Sequence, residues 1–537
     1  MSLLRSTFAF STMTLVSRVL GLARDVVLAS GFGASRATDA FFVAFKIPNF
    51  LRRLFAEGSF SLAFVPVLSE YREHHDRAAL KSLIDATAGS LAAVLLVLTA
   101  LGIWAAPWIV AVFAPGFADE PEQLRLAGEM LRVTFPYLLF VALTALAGGI
   151  LNTLGRFAIP ALTPALLNVS LIVSAVALSG RFDEPVKALA WGVVAAGVLQ
   201  LAVQLPVLAR HGVLPLPRPD FRHPGVRRIA RLMVPTLFGS SVAQINLLFD
   251  VLIASLLVEA SISWLYYGDR LMEFPLGLFG VALSVVILPT LSSQHARASN
   301  AEFRATLDWA ARLGWLIAVP AAAGLAVLAE PIGATLFGYG EFTGRDVAMT
   351  AWALGAYCLG LPAFIGVKIL APAFYSRQDT KTPVRIAVIA LVINMALNVA
   401  FVLAIAAWLA GGAFDGGVLA TLAREPGAHV GLALASSAAG WLNAGLLWRH
   451  LAAEGLAPRP GARVVGLAPA AAAAMAAGVH VLTPDTARWL DAALAQRIAW
   501  LAGLIAAGAG VYALVLAAAG LRPRQFARPA GTGGDSG

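Results

Sequence analysis

Residues 384–407 read VRIAVIALVINMALNVAFVLAIAA, a run in which Arg385, at the edge, is the one charged residue. About 20 apolar residues, rising 1.5 Å each along a helix, cross the ~30 Å hydrocarbon core of a bilayer. In lipid the backbone N–H and C=O groups must bond to one another, so such a run predicts a helix. Similar runs recur along the chain between polar or Pro/Gly-rich breaks. Their approximate positions are 8–30, 37–66, 82–106, 130–151, 157–179, 188–208, 232–257, 264–292, 311–330, 350–375, 384–407, 429–448, 464–482 and 498–520. The expected fold class is therefore an all-α polytopic membrane protein with about 14 spans. The eighth and tenth carry charges and are the least obvious from hydropathy. The ten-residue alternation of an outer-membrane barrel is absent from the sequence.

Composition agrees. The 537 residues are 59% hydrophobic and 13% charged, with a mean hydropathy of +0.79; a soluble domain averages roughly 25% charged. The single cysteine, Cys358, excludes an intramolecular disulfide and a paired-Cys redox or metal site. The apolar run Phe8–Val16 is followed by Arg18, Arg24 and Asp25 without a small-residue cleavage pattern, so it reads as a retained first helix. His74 and His75 fall in a loop and read as solvated rather than metal-binding.

An even number of spans puts both termini on one side. If that side is the cytoplasm, cytoplasmic segments hold 23 Arg and Lys and the opposite side 8. This asymmetry follows the positive-inside rule. It also accounts for the net charge of +9 without nucleic acid. The longest polar break, 209–231, has six Arg, one Asp and four Pro, and reads as a linker. It predicts a first lobe over 1–215, a second over 216–455, a final helix pair over 456–522 and a cytoplasmic tail over 523–537. Phe41-Phe42 before Pro48 loosely echoes Tyr266-Tyr267 before Pro275, in keeping with the paired repeats of secondary transporters.

Eight of the 39 Arg and Lys remain inside or at the ends of spans: Arg18, Arg24, Lys46, Arg52, Arg53, Arg132, Arg270 and Lys368. An Arg at the bilayer centre costs about 2.5–3.5 kcal/mol even on lenient scales, so these should face protein or a watery cavity. At 100° per residue, Asp39, Lys46, Arg53 and Glu57 share one stripe. Arg18 and Asp25, seven apart, share a face, and Arg270 and Glu273 are three apart. Pro48 is expected to break the second helix. Internal ion pairs and snorkelling would account for Lys46, Arg53 and Arg132. Yet the first two helices hold five cations against Asp25, Asp39 and Glu57. The surplus, Arg18, Arg24 and Arg52, with Arg270, implies an anionic ligand, and the planar Arg fork favours phosphate.

Asp250 with Asn394 and Asn398, which are four apart on one face, offers a carboxylate and two amide oxygens to a hard cation such as sodium. The alternative is an interhelical hydrogen-bond set. No P-loop, HExxH or GxSxG motif is present in the sequence, so neither ATP hydrolysis nor catalysis is indicated.

Several long charged stretches resemble MurJ/MviN proteins, bacterial lipid II flippases of the MOP exporter superfamily. They are SRVLGLARD (17–25), TDAFFVAFKIPN (38–49) followed by LRR (51–53) and FAEG (55–58), YYGDRLMEFP (266–275), and Lys368 to Lys381 with APAFYSRQD (371–379). The resemblance runs from residue 1 to about 526. It implies two six-helix lobes and a final pair that helps form a lipid-tail groove. It implies lipid II as cargo, an undecaprenyl-diphosphate-linked disaccharide-pentapeptide moved from the inner to the outer leaflet of the bacterial cytoplasmic membrane by alternating access. Among site residues it implies Arg18, Arg24, Arg52, Arg270 and Asp39 for substrate. Asp25, Lys46, Arg53, Glu57, Asp269, Glu273 and Lys368 would form a supporting charge network. It implies no required cofactor, a sodium ion in some members at positions matching Asp250, Asn394 and Asn398 (one of them Asn where an acid is expected), and membrane potential as driving force. The expected partners are lipid II and membrane lipids, with the chain acting as a monomer in contact with the cell-wall synthesis machinery. The alternatives are an exporter of another polyprenyl-diphosphate-linked oligosaccharide, a membrane enzyme acting on the same lipid, and a scaffold without cargo.

Overall fold

The computed structural model describes residues 3–53, 60–412, 414 and 416–521, without the side chains of 3–15, 62 and 235–244. Among the described residues every regular element is helical. Eleven helical stretches, from Arg77–Phe113 to Leu494–Ala518, are long and apolar enough to cross a membrane. They coincide with the third to sixth and the eighth to fourteenth expected spans. The eighth and tenth, Ser261–Ala296 and Gly344–Tyr375, are thus not the faint ones. In the eighth the charges cluster at Asp269, Arg270 and Glu273, and in the tenth Arg345 and Asp346 sit in the first turn with Lys368 alone further in, which leaves long apolar stretches. The first, second and seventh stand outside the eleven. They are helical nonetheless, as Leu3–Phe32, Arg36–Arg52 with Ser61–His74, and Pro224–Ser255.

The chain divides into two compact units, residues 1–262 and 263–537, and the helix Pro224–Ser255 lies in the first. Within the first, Leu3–Phe32 packs on Ala158–Val173, and Arg36–Arg52 packs on Pro121–Thr134. Within the second, Val430–Ala453 packs on Gly344–Tyr375 and on Lys381–Leu409. Small residues allow this approach, as membrane interfaces require. A Cβ at Gly431 would lie 2.7 Å from the Val402 backbone nitrogen, and one at Gly440 would lie 2.5 Å from the Phe364 ring. The final pair belongs to this unit: Ala462–Leu482 packs on Asn300–Val327 and on Leu494–Ala518.

Pro48 does not break the second helix, which runs through it from Arg36 to Arg52. A proline removes the hydrogen bond to the carbonyl four residues earlier, here that of Ala44. The Thr134 hydroxyl donates to that carbonyl at 3.0 Å and replaces the lost bond. The same device recurs at Pro164, where Thr163 Oγ1 donates to the Pro160 carbonyl at 2.8 Å. It recurs again at Pro320, where Tyr512 Oη donates to the Leu316 carbonyl at 2.9 Å and ties the last helix to Asn300–Val327. Thr134 is fully buried. Thr134→Val keeps its shape and strands the Ala44 carbonyl, so we expect a loss of about 1–3 kcal/mol. A lowered thermal midpoint in detergent checks this; an unchanged midpoint would contradict it.

The basic linker is tied down within its own unit. Its Leu216 N–H donates to Asp85 Oδ1 at 2.7 Å, its Arg218 N–H to the Asp85 carbonyl at 3.2 Å, and its Asp220 N–H to Ser90 Oγ at 3.1 Å. Gly89 sits under it, where a Cβ would come within 2.3 Å of the Arg218 carbonyl carbon. Lys81 Nζ neutralises Asp85 one turn earlier, at 2.5 Å from Oδ2. Asp85, an acid at the edge of the third span, is therefore accounted for structurally.

Candidate functional site

The first helix carries two of the span cations, and they differ sharply. Arg18 is exposed. Arg24 is buried, as is Asp25 beside it. Arg24 Nε and Nη2 both donate to Asp25 Oδ1, at 2.9 and 2.5 Å. Arg24 Nη1 donates to Asn168 Oδ1 at 3.0 Å, across to the helix Ala158–Val173. The expected pairing of Arg18 with Asp25 is therefore replaced by Arg24 with Asp25. Seven residues are about 10 Å of helix rise, whereas a long guanidinium side chain folds back on its neighbour once Asn168 holds its far end.

The second helix begins at Ser35, whose hydroxyl accepts from the Thr38 N–H at 3.3 Å. This fixes the first turn, where Asp39 is buried. A carboxylate there also suits the positive end of the helix dipole. Lys46 is half-buried further along. Arg52 is half-buried in the last turn and donates from Nε to Asn49 Oδ1 at 2.7 Å. Arg53 is exposed, and Glu57 lies outside the described residues.

In the second unit, Arg270 Nη1 donates to Glu273 Oε2 at 2.8 Å, as the three-residue spacing predicts. Both side chains are about half exposed. The guanidinium also lies 5.7 Å from the Tyr266 ring centre. The helix Ser261–Pro275 is anchored on either side of this pair. Tyr267 is buried against Phe337 and Phe342. Trp264 Nε1 donates to Asp346 Oδ1 at 2.9 Å. Asp269 is half-buried, and Lys368, like Arg132 of the first unit, is exposed.

Of the cation candidates, Asp250 is half-buried and its Oδ2 accepts from Asn246 Nδ2 at 3.2 Å. Asn394 and Asn398 are buried on one face of Lys381–Leu409. Their oxygens are the donors a hard cation takes. Among the described residues no group of three His, Cys, Asp or Glu side chains is arranged around a metal.

Two polar residues here escape the sequence reading. Asn168 lies in an apolar run with nothing in sequence to single it out. Arg497 counts as a loop residue by position but is buried, with its donors on the carbonyls of Ala334, Gly338, Leu490 and Ala492. Of the span cations, Arg24, Arg52 and Arg270 are each held by a neighbouring side chain, whereas Arg497 is held by backbone carbonyls. Ionisable side chains held inside membrane helices mark paths through the membrane, so the class is that of a transporter.

The helical fold is one already seen in solved membrane proteins. A solved multidrug resistance MATE family transporter of the MOP superfamily, in an inward-facing conformation, matches with a TM-score of 0.63 at 14% identity, over 84% of this chain and 98% of that one. The family model described as lipid II flippase MurJ matches residues 28–498. A Vibrio cholerae serotype O1 protein described as a "Probable lipid II flippase MurJ" is 45% identical over 533 residues, 98% of this chain and 97% of its own length. The solved lipid II flippase MurJ in an inward closed conformation matches with a TM-score of 0.77 at 26% identity, covering 97% of this chain and 99% of that one. The chain belongs to the MurJ lipid II flippase family. It is a multi-pass protein of the bacterial inner membrane, and a transporter rather than an enzyme.

Proposed function

We propose that this chain carries lipid II from the cytoplasmic to the outer leaflet by alternating access, as its family membership implies. Arg18, Arg24, Arg52 and Arg270 hold the diphosphate, and Asp39 shapes the site with them. The observation that carries this assignment is a buried guanidinium, Arg24, in a membrane helix, kept in place by an acid and an amide. Arginine is the side chain whose planar fork matches phosphate oxygens. Asp25, Lys46, Arg53, Glu57, Asp269, Glu273 and Lys368 tune the local charge. The apolar undecaprenyl tail stays against membrane lipid and the final helix pair, since only the headgroup needs a polar path.

Both termini face the cytoplasm on this reading, and the chain works as a monomer beside the enzymes that consume its product. Asp250, Asn394 and Asn398 supply oxygens for a sodium ion. Cationic side chains that move across the field couple the cycle to membrane potential, at about 2.3 kcal/mol per charge per 100 mV.

Outer-leaflet lipid II accessibility in cells depleted of this protein tests the reading. We expect it to fall on depletion, to recover on re-expression, and to fall again when an ionophore collapses the potential. Undiminished accessibility after depletion overturns the function, and insensitivity to the ionophore overturns the coupling.

A further inference from the structure

The geometry points to Asn168 as the residue that positions the Arg24 guanidinium for the lipid diphosphate. Asn168 is buried on the helix Ala158–Val173. Its two polar atoms have different tasks. Oδ1 accepts from Arg24 Nη1 at 3.0 Å, and Nδ2 donates to the Ser17 carbonyl at 3.1 Å. Turning the amide over would set its NH2 against a guanidinium and its oxygen against a carbonyl, so the partners themselves fix its orientation. Ser17 and Arg24 lie seven residues apart on the first helix. One amide therefore clamps that helix at two points two turns apart. Asp25 supplies the opposite charge on the other edge of the guanidinium, at Nε and Nη2.

The division of labour follows from charge. Asp25 lowers the cost of burying Arg24 but also competes with an arriving phosphate. Asn168 is neutral, so it orients the guanidinium without offsetting its charge. A carboxylate at 168 would do the opposite. It would add a second negative partner to Arg24 and place an acceptor against the Ser17 carbonyl. A protonated Asp restores the Asn pattern, since its O–H donates and its C=O accepts.

This inference rests on the assignment of Arg24 to the diphosphate, and the test separates the two. Lipid II affinity is measured for the full-length protein in nanodiscs, with thermal midpoints recorded alongside. Asn168→Leu is expected to weaken binding about tenfold, the equivalent of about 1.4 kcal/mol. In the Arg24→Ala background it should add nothing, because its effect passes through Arg24. Asn168→Asp, close in shape to the native side chain, should bind weakly at neutral pH. It should recover as the pH falls and the new carboxyl protonates, a recovery absent from the parent protein. An equal loss on both backgrounds, unchanged affinity in Asn168→Leu, or a pH-independent Asn168→Asp defect overturns the positioning role. If Arg24→Ala itself leaves affinity unchanged, the diphosphate assignment fails instead.

Discussion

Arg270→Ala is expected to lose the ability to support growth of a strain depleted of its lipid II flippase, while accumulating in the membrane to the normal level. The two halves of that expectation have separate causes. The Arg270–Glu273 pair is half exposed, and exposed pairs contribute about 0.2–1 kcal/mol. The Tyr266 contact at 5.7 Å adds about 0.5–1 kcal/mol at an exposed site. Anchoring of the helix comes from Tyr267 and Trp264, which alanine at 270 leaves in place. Removal of the guanidinium does delete a planar donor from the proposed diphosphate site. Arg270→Lys restores the charge but not the fork, so partial rescue is expected. Arg24→Ala is a harsher experiment, because it removes a buried partner of Asp25, at a cost of about 3–5 kcal/mol. Growth on Arg270→Ala at normal abundance would remove Arg270 from the substrate site.

The span pattern was legible because it is a one-dimensional signal. The run 384–407 predicts a helix found as Lys381–Leu409, and the physics of lipid allows little else. The charged spans were legible too, by the cost of their charges. What the sequence hides is partnership across the fold. Pro48 reads as a break because its substitute donor, Thr134, is far away in the chain and looks like any other threonine. Arg18 and Asp25 share a face by angle, yet Asp25 binds Arg24. Helical spacing describes Cβ positions, not where a six-atom side chain ends. Asn168 looks incidental until the first helix is seen against its own. Spacing of three does predict the Arg270–Glu273 pair, because both ends of that pair lie on one turn; the partners of Arg24 do not follow from spacing.

Arg497 shows the same limit from the opposite side, and its removal should be a structural perturbation as large as that of Arg24→Ala. It stands in the first turn of the last helix, Leu494–Ala518, and is 5% exposed. Nη1 donates to the carbonyls of Ala334 at 2.7 Å and Gly338 at 3.0 Å, at the end of the helix Ala329–Leu336. Nε donates to Ala492 at 2.9 Å, and Nη2 donates to Leu490, at the end of Thr486–Asp491. Its guanidinium lies 4.6 Å from the Tyr339 ring centre. One cation thus meets the negative ends of two short helices, where a positive charge is favoured. Hydrogen bonds from a charged donor contribute about 1.5–3 kcal/mol each, but neighbouring bonds do not add in full. Arg497→Ala is therefore expected to cost about 3–5 kcal/mol locally. Trp489 and Trp500 lie beside the site, with ring centres 5.4 Å apart, so their fluorescence reports it in a background where the other ten of the twelve Trp are replaced by Phe. We expect their emission to shift to the red at a lower temperature than in the parent, with Arg497→Lys in between because an ammonium cannot reach four carbonyls in one plane. The Tyr512–Leu316 bond still holds the last helix further along, so the change should be local unfolding around the two short helices rather than loss of the whole chain. An unchanged transition in Arg497→Ala would show that these carbonyls find other donors.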